Sequence, residues 1–118
     1  MPNSIPAKAF EKALLGGKVL QSVGTIDELN RVMSRKKFDK YVTEQERIDF
    51  VNELIGQVEL VQVTHVVTVC RDAKDNKFLE LALSGNATKI VTGDPDLLVL
   101  HSFQNIPIIT ASDFLADT

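Results

Sequence analysis

The sequence predicts an α/β protein, a three-layer sandwich in which helices cover a mainly parallel sheet. Short apolar, β-branched runs alternate along the chain with amphipathic stretches of helical spacing. No hairpin signal joins two of these runs, so successive strands must be connected through helices, which is the requirement for parallel pairing. With 118 residues, 44% of them hydrophobic, the chain can build one real core, and we expect residues 1–118 to form a single domain.

The elements predicted in the first half are a helix at 7–15, a strand at 18–23, a helix at 26–34 and a helix that ends at Gly56. Pro6 disfavours an earlier helix start, and Gly16 with Gly17 stops the first helix. Thr25 and Glu28 have the spacing of a capping box for the third element. Thr43 and Glu46 repeat that spacing before the fourth.

The second half contains a β-branched run at 58–69, which we expect to hold one strand and an adjoining extended segment. The other predicted elements are a strand at 66–70, a helix at 75–84, a strand at 89–92, a short helical turn from Asp94, a strand at 106–109 and a terminal turn capped by Thr110 or Ser112. Pro107 is compatible with its strand only at an edge or at the strand start.

Composition restricts the classes of protein that remain. The single cysteine, Cys70, excludes an internal disulfide framework, fits a reducing compartment, and is typical of a small buried side chain at a strand end. The sequence has neither an apolar run near the ~20 residues of a membrane span nor a signal-peptide pattern, so we expect a cytoplasmic protein without membrane contact. The net charge of −3 disfavours non-specific nucleic-acid binding, which leaves only local contact.

Two acidic turns mark the candidate site. Asp72 and Asp75 follow the predicted strand at 66–70, and Asp94 and Asp96 follow the strand at 89–92. Because the carboxyl ends of parallel strands lie on one edge of the sheet, we expect these four carboxylates to converge there. A cluster of carboxylate oxygens without His or Cys suits Mg²⁺ or Mn²⁺.

Helix capping is the alternative explanation for the same residues. Asp94 followed by Pro95 is a good N-cap and N1 pair, and Asp96 in the first turn is favoured by the helix dipole. Asp75 can also serve as an N-cap, and Asp72 as a turn residue. The coincidence of two acidic turns at one predicted edge favours the metal site, while capping stays open for each residue taken alone.

A basic group lies near the end of the predicted helix at 26–34. Its members are Arg31, Arg35, Lys36, Lys37 and, a little further on, Lys40. Positive charge at a helix C-terminus complements the dipole, and a solvated face is the simpler interpretation. The alternative is a patch that contacts RNA phosphates.

The run DNKFLELALSGNATKIVTGDPDLL at 75–98 resembles the carboxy-terminal half of PIN-domain proteins, in the subgroup described as toxins of toxin-antitoxin pairs. The segments at 25–38 and 106–115 are similar to two further parts of that family. The resemblance implies an endoribonuclease that depends on Mg²⁺ or Mn²⁺. It assigns catalytic and metal-binding acids to Glu28, Asp75 and Asp94, an accessory metal-binding acid to Asp96, and supporting roles to Thr92 and Asn76, while Asp72 has no counterpart.

Members of that family begin with a central strand ending in Asp-Thr-Asn, which supplies the first metal-binding aspartate, and Met1-Pro2-Asn3 offers no such segment. We therefore expect an N-terminally truncated sheet, weak metal binding and weakened or absent activity. The alternative function is a non-catalytic PIN-like module that binds RNA or an antitoxin-like protein. Unpaired strand edges beside a missing strand either close up or recruit a second copy, so we expect a homo-oligomer, with the run at 58–69 as the donor.

Overall fold

The computed structural model describes residues 5–36 and 43–117. The helices in these ranges are α1 (Ile5–Gly16), α2 (Val23–Met33), α3 (Glu44–Gln57), α4 (Asn76–Ser84), α5 (Pro95–Leu98) and α6 (Ala111–Ala116). The strands are β1 (Leu20–Gln21), β2 (Glu59–Leu60), β3 (Ile90–Val91) and β4 (Ile108–Ile109). A 3-10 turn at Ala73–Asp75 leads into α4. No helix within these ranges is long and apolar enough to cross a membrane.

The predicted α/β architecture with parallel strands is confirmed, but the described strands form two separate pairs. β1 pairs with β2, with Leu20 opposite Glu59, and β3 pairs with β4, with Ile90 opposite Ile108. Both pairs are parallel. Residues of β1 and β3 both line a cleft of about 990 Å³, and these two strands are not paired with each other.

The core lies around α4. Leu79 of α4 is fully buried and packs with Leu97 of α5, Ile108 of β4 and Val67 from the segment that precedes α4. Burial of four aliphatic side chains from four parts of the chain contributes several kcal/mol, at ~1.5–3 kcal/mol each. The same packing fixes the start of α4 beside the end of β3, which positions the candidate site.

The helix starts show which local signals dominate. α1 begins at Ile5, so the expectation of no helix before Pro6 is wrong; a proline in the first turn loses no helical hydrogen bond. Ser22 caps α2 through a reciprocal pair with Thr25, whereas the prediction placed Thr25 at the cap and Glu28 as its partner. The capping box of Thr43 and Glu46 is confirmed, and so is the cap of α6 by Thr110.

Residues 61–70 form an extended segment, here called the strap, in place of the strand predicted at 66–70. Its backbone N–H groups at every third residue donate to other parts of the chain. Val61 donates to the carbonyl of Gln21, Thr64 to Ser84 Oγ, Val67 to Glu80 Oε2 and Cys70 to Asn76 Oδ1. The last three acceptors lie four residues apart along one side of α4. The hydrogen bonds of the strap therefore recur every three residues, which is the period of an extended polyproline-type segment. In a strand the period is two residues.

Candidate metal centre

The turn that follows β3 holds Asp94 in a fixed position. Thr92 Oγ1 accepts a hydrogen bond from the N–H of Asp94 at 3.1 Å, and Asp94 Oδ1 accepts one from the N–H of Asp96 at 2.9 Å. Asp94 is thus the N-cap of α5, followed by Pro95 at the first helical position. The capping hydrogen bond uses Asp94 Oδ1, and the carboxylate as a whole stays at the edge of the sheet.

Asp75 behaves differently, although it stands at the N-cap position of α4. Its side chain makes no capping hydrogen bond. The capping role in this turn belongs to Asp72, whose Oδ1 accepts from the N–H of Lys74 at 3.0 Å. The capping alternative therefore accounts for Asp72 but not for the orientation of the Asp75 carboxyl.

Asp75, Asp94 and Asp96 each bring one carboxylate oxygen to a common point, with these atoms within 4.8 Å of one another. Burial raises the pKa of Asp75, and the negative charges of Asp94 and Asp72 raise it further, as do a hydrogen bond with Asp94 and the charge of Asp96. Half-buried carboxylates at this spacing repel one another unless a proton or a cation lies between them. The oxygen-only donor set fits a hard divalent cation such as Mg²⁺ or Mn²⁺.

Glu28 is not part of this group of three acids. Its Oε2 lies 2.8 Å from Lys77 Nζ and also pairs with the guanidinium of Arg31. The hydrogen bond from Lys77 is the main cause that lowers the pKa of Glu28; burial opposes it and Arg31 adds to it. Three of the four carboxylates expected at the sheet edge therefore lie together, and Asp72 is not in this group. Glu28, the acid assigned by the family resemblance, pairs with two cations instead.

The supporting residues hold the backbone around the acids. Thr92 organises the turn of Asp94 as described, and Asn76 anchors the end of the strap through its 2.9 Å bond from Cys70 N–H. Of the predicted RNA-contacting residues, Arg31 is engaged with Glu28, and Arg35 and Lys36 are exposed beyond the end of α2. Lys37 and Lys40 lie outside the described residues.

Two residues near the acids were not singled out in the sequence. Lys77 follows Asp75 by two positions and bridges α4 to Glu28 on α2. Arg71, which is largely exposed, has its Nη1 3.9 Å from Asp96 Oδ1. Their only sequence signal is proximity to the acidic turn, which does not identify a partner. Burial, followed by the charges of Asp75, Asp94 and Asp72, raises the pKa of the Cys70 thiol, which keeps it protonated and unsuited to nucleophilic attack.

Comparisons with known proteins identify the family of this chain. The chain matches the family model of the PIN domain over residues 4–96. It is 30% identical over 103 residues to an uncharacterized protein, MJ1680, from Methanocaldococcus jannaschii. The aligned region covers 85% of this chain and 65% of that protein, so the chain spans just under two thirds of its relative's length. No solved structure matches the chain. The family match extends over most of the sequence and includes all three clustered acids, and the chain therefore belongs to the PIN domain family.

Proposed function

We propose that this protein is a metal-dependent endoribonuclease whose centre is formed by Asp75, Asp94 and Asp96. PIN domains are generally nucleases and typically depend on divalent metal, which supports the general class of activity. The observation that carries the proposal is the position of the Asp75 carboxyl. It does not cap its own helix and instead lies against Asp94 and Asp96, where its charge is unfavourable without a cation.

Mg²⁺ or Mn²⁺ is the cation that this donor set fits, because all three ligands offered are carboxylate oxygens. When bound, such an ion activates water and stabilises the charge that develops on a phosphodiester. The rest of the chain holds the three metal-binding carboxylates in place. The two hydrogen bonds of the Thr92–Asp96 turn fix Asp94, and Asn76 with Leu79 fixes the start of α4 below Asp75.

Basic residues of α2, of the residues just after it and of α4 supply contacts for a nucleic-acid backbone. Arg35 and Lys36 are exposed, and Arg31 and Lys77 lie on the Glu28 side of the acids. Because the whole chain carries a net charge of −3, we expect phosphate contacts to be local and not spread over the surface. We therefore expect the substrate to be single-stranded RNA held locally, with Glu28 positioning Lys77 and Arg31.

A toxin role, with an antitoxin-like protein as its inhibitor, is the finer form of this proposal and derives from the family resemblance. A non-catalytic binding module is the second candidate function. The observation that favours it is the ion pairing of Glu28, which leaves three acids at the centre in place of four.

Cleavage of labelled single-stranded RNA in Mg²⁺, in Mn²⁺ and in EDTA separates the two functions. We expect cleavage with either metal, no cleavage in EDTA, and no cleavage by Asp94→Asn. Asp113→Asn is the matched control, since Asp113 is also an aspartate in a first helical turn but is exposed and lies outside the group of three acids. Intact RNA with every metal, combined with a measurable RNA or protein complex, would establish the binding module in place of the nuclease.

A further inference from the structure

An exposed apolar ridge runs along β2 and the strap. Its side chains recur every third residue: Leu60 is 54% exposed, Val63 39%, Val66 87% and Val69 54%. The period follows from the anchoring of the strap, because residues 61, 64, 67 and 70 donate their N–H groups inward. The four residues just before these anchors are thereby turned outward, and all four are aliphatic.

The ridge lies in a neutral part of a charged protein. Residues 60–70 contain no Asp, Glu, Lys or Arg, although these four types make up 25% of the chain. Charged side chains occur directly at the two ends, where Glu59 precedes the ridge and Arg71 follows it. Two copies of a chain with net charge −3 repel each other least along such a stretch.

We propose that the ridge is a self-association surface that takes the same ridge of a second copy in antiparallel orientation. A two-fold axis between Thr64 and His65 sets Leu60 opposite Val69 of the second copy and Val63 opposite Val66. The same axis sets Glu59 of each copy opposite Cys70 of the other, one residue from Arg71, so opposite charges lie close together at both ends. Both side chains are exposed, and within its own copy Glu59 pairs with Lys18 at 3.4 Å and Arg71 with Asp96 at 3.9 Å. An isologous contact requires this kind of self-complementarity, in which a segment matches its own reverse. Parallel alignment would instead set Glu59 beside Glu59.

The size of the ridge determines how stable the dimer is. Eleven extended residues span about 30 Å, so a band about 10 Å wide buries on the order of 300 Å² on each copy. Stable interfaces bury well over 1,000 Å² in total, and smaller ones are transient. The dimer is therefore weak and reversible, and its formation depends on protein concentration.

Sedimentation equilibrium across micromolar to millimolar concentrations tests the proposal with the whole chain. We expect a monomer–dimer equilibrium that Val66→Asp weakens about tenfold or more, because each dimer then buries two unpaired carboxylates. Val66 is so exposed that this change leaves the monomer fold intact, which circular dichroism verifies. Val99→Asp is the matched control, since Val99 is 77% exposed and lies outside the ridge.

A charge exchange tests the antiparallel orientation. Arg71→Glu alone should weaken the dimer a few-fold by placing two acids together, and adding Glu59→Arg in the same chain should restore it. A monomer at all concentrations, or a dimer that Val66→Asp leaves unchanged, overturns the proposal. Failure of the double variant to recover association overturns the antiparallel arrangement. Binding of the ridge to a different protein, with no self-association, assigns the surface to that partner instead.

Discussion

Asp75 and Glu28 are two acids that the family resemblance assigns to one centre, yet they lie in opposite electrostatic surroundings. Asp75 faces other carboxylates, and its pKa is raised. Glu28 faces Lys77 and Arg31, and its pKa is lowered. Among the residues that the structure describes, no cation pairs with Asp75, whereas Glu28 pairs with two, so a divalent ion stabilises Asp75 more than Glu28.

The difference shows that a matching motif position does not by itself determine what a side chain does. Glu28 has a carboxylate at the expected place on α2, but a lysine 49 residues further along the chain uses it. An acid that lies among other carboxylates can bind a metal ion. An acid that is already paired with lysine and arginine side chains instead holds those side chains in place.

Replacing each acid by its amide gives the sharpest contrast in activity. Asp94→Asn should lower cleavage by about 100-fold or more, because removing a metal ligand removes charge stabilisation at the phosphodiester. Glu28→Gln should lower it far less, because its carboxylate acts through Lys77 and Arg31. Single-turnover rates at saturating Mg²⁺ measure both. Equal losses would show that Glu28 joins the metal site during the reaction.

Added metal should stabilise the protein through Asp75 and not through Glu28. Binding to the folded state alone adds about 2.7 kcal/mol to the unfolding free energy when the metal is at 100 times its dissociation constant. Thermal unfolding with increasing Mn²⁺ should show this gain in the wild type and in Glu28→Gln, and lose it in Asp75→Asn. A gain that persists in Asp75→Asn would place the ion elsewhere.

The two acids should also give the metal-free protein opposite pH dependences. The pKa of Asp75 is higher in the folded state, so its contribution favours folding at low pH and is lost as pH rises through that folded pKa. The pKa of Glu28 is lower in the folded state, so its contribution is present above the ordinary value of 4.5 and is lost as pH falls through its folded pKa. Asp75→Asn should therefore stabilise the metal-free protein at neutral pH, by about 1 kcal/mol or less since the site is partly solvated. Urea unfolding in EDTA from acid to neutral pH measures both trends, and a loss of stability in Asp75→Asn at neutral pH would contradict the repulsion.

The sequence was informative where function depends on neighbouring residues. The Thr92–Asp96 turn is built by hydrogen bonds across two residues, so its motif, its cap and its position after a strand can all be read locally. Parallel topology then suffices to bring Asp75 to the same edge. The convergence of three acids was predictable for these reasons.

The anchoring of the strap at every third residue and the partner of Glu28 were not predictable in this way. The run at 58–69 is rich in β-branched residues, which favours a strand, but side chains on α4 hold its backbone at every third residue. These acceptors are as many as 20 residues away in sequence. The partner of Glu28 is likewise set by packing of α2 against α4, which no local pattern encodes.

Lys77 is the cation whose charge makes the surroundings of Glu28 differ from those of Asp75, and removing it should have a small effect. Lys77→Met keeps the aliphatic length of the side chain but removes the charge 2.8 Å from Glu28. Arg31 remains as a partner, so Glu28 is not left alone, and we expect a loss of about 1 kcal/mol or less in unfolding free energy. The pKa of Glu28 should rise towards its ordinary value, which NMR titration of the carboxyl carbon detects. Lys74→Met, on the exposed 3-10 turn, is the control and should change neither quantity. If Lys77→Met instead tightens Mn²⁺ binding, Glu28 has been released to the metal, and its pairing with Lys77 limits the affinity of the centre.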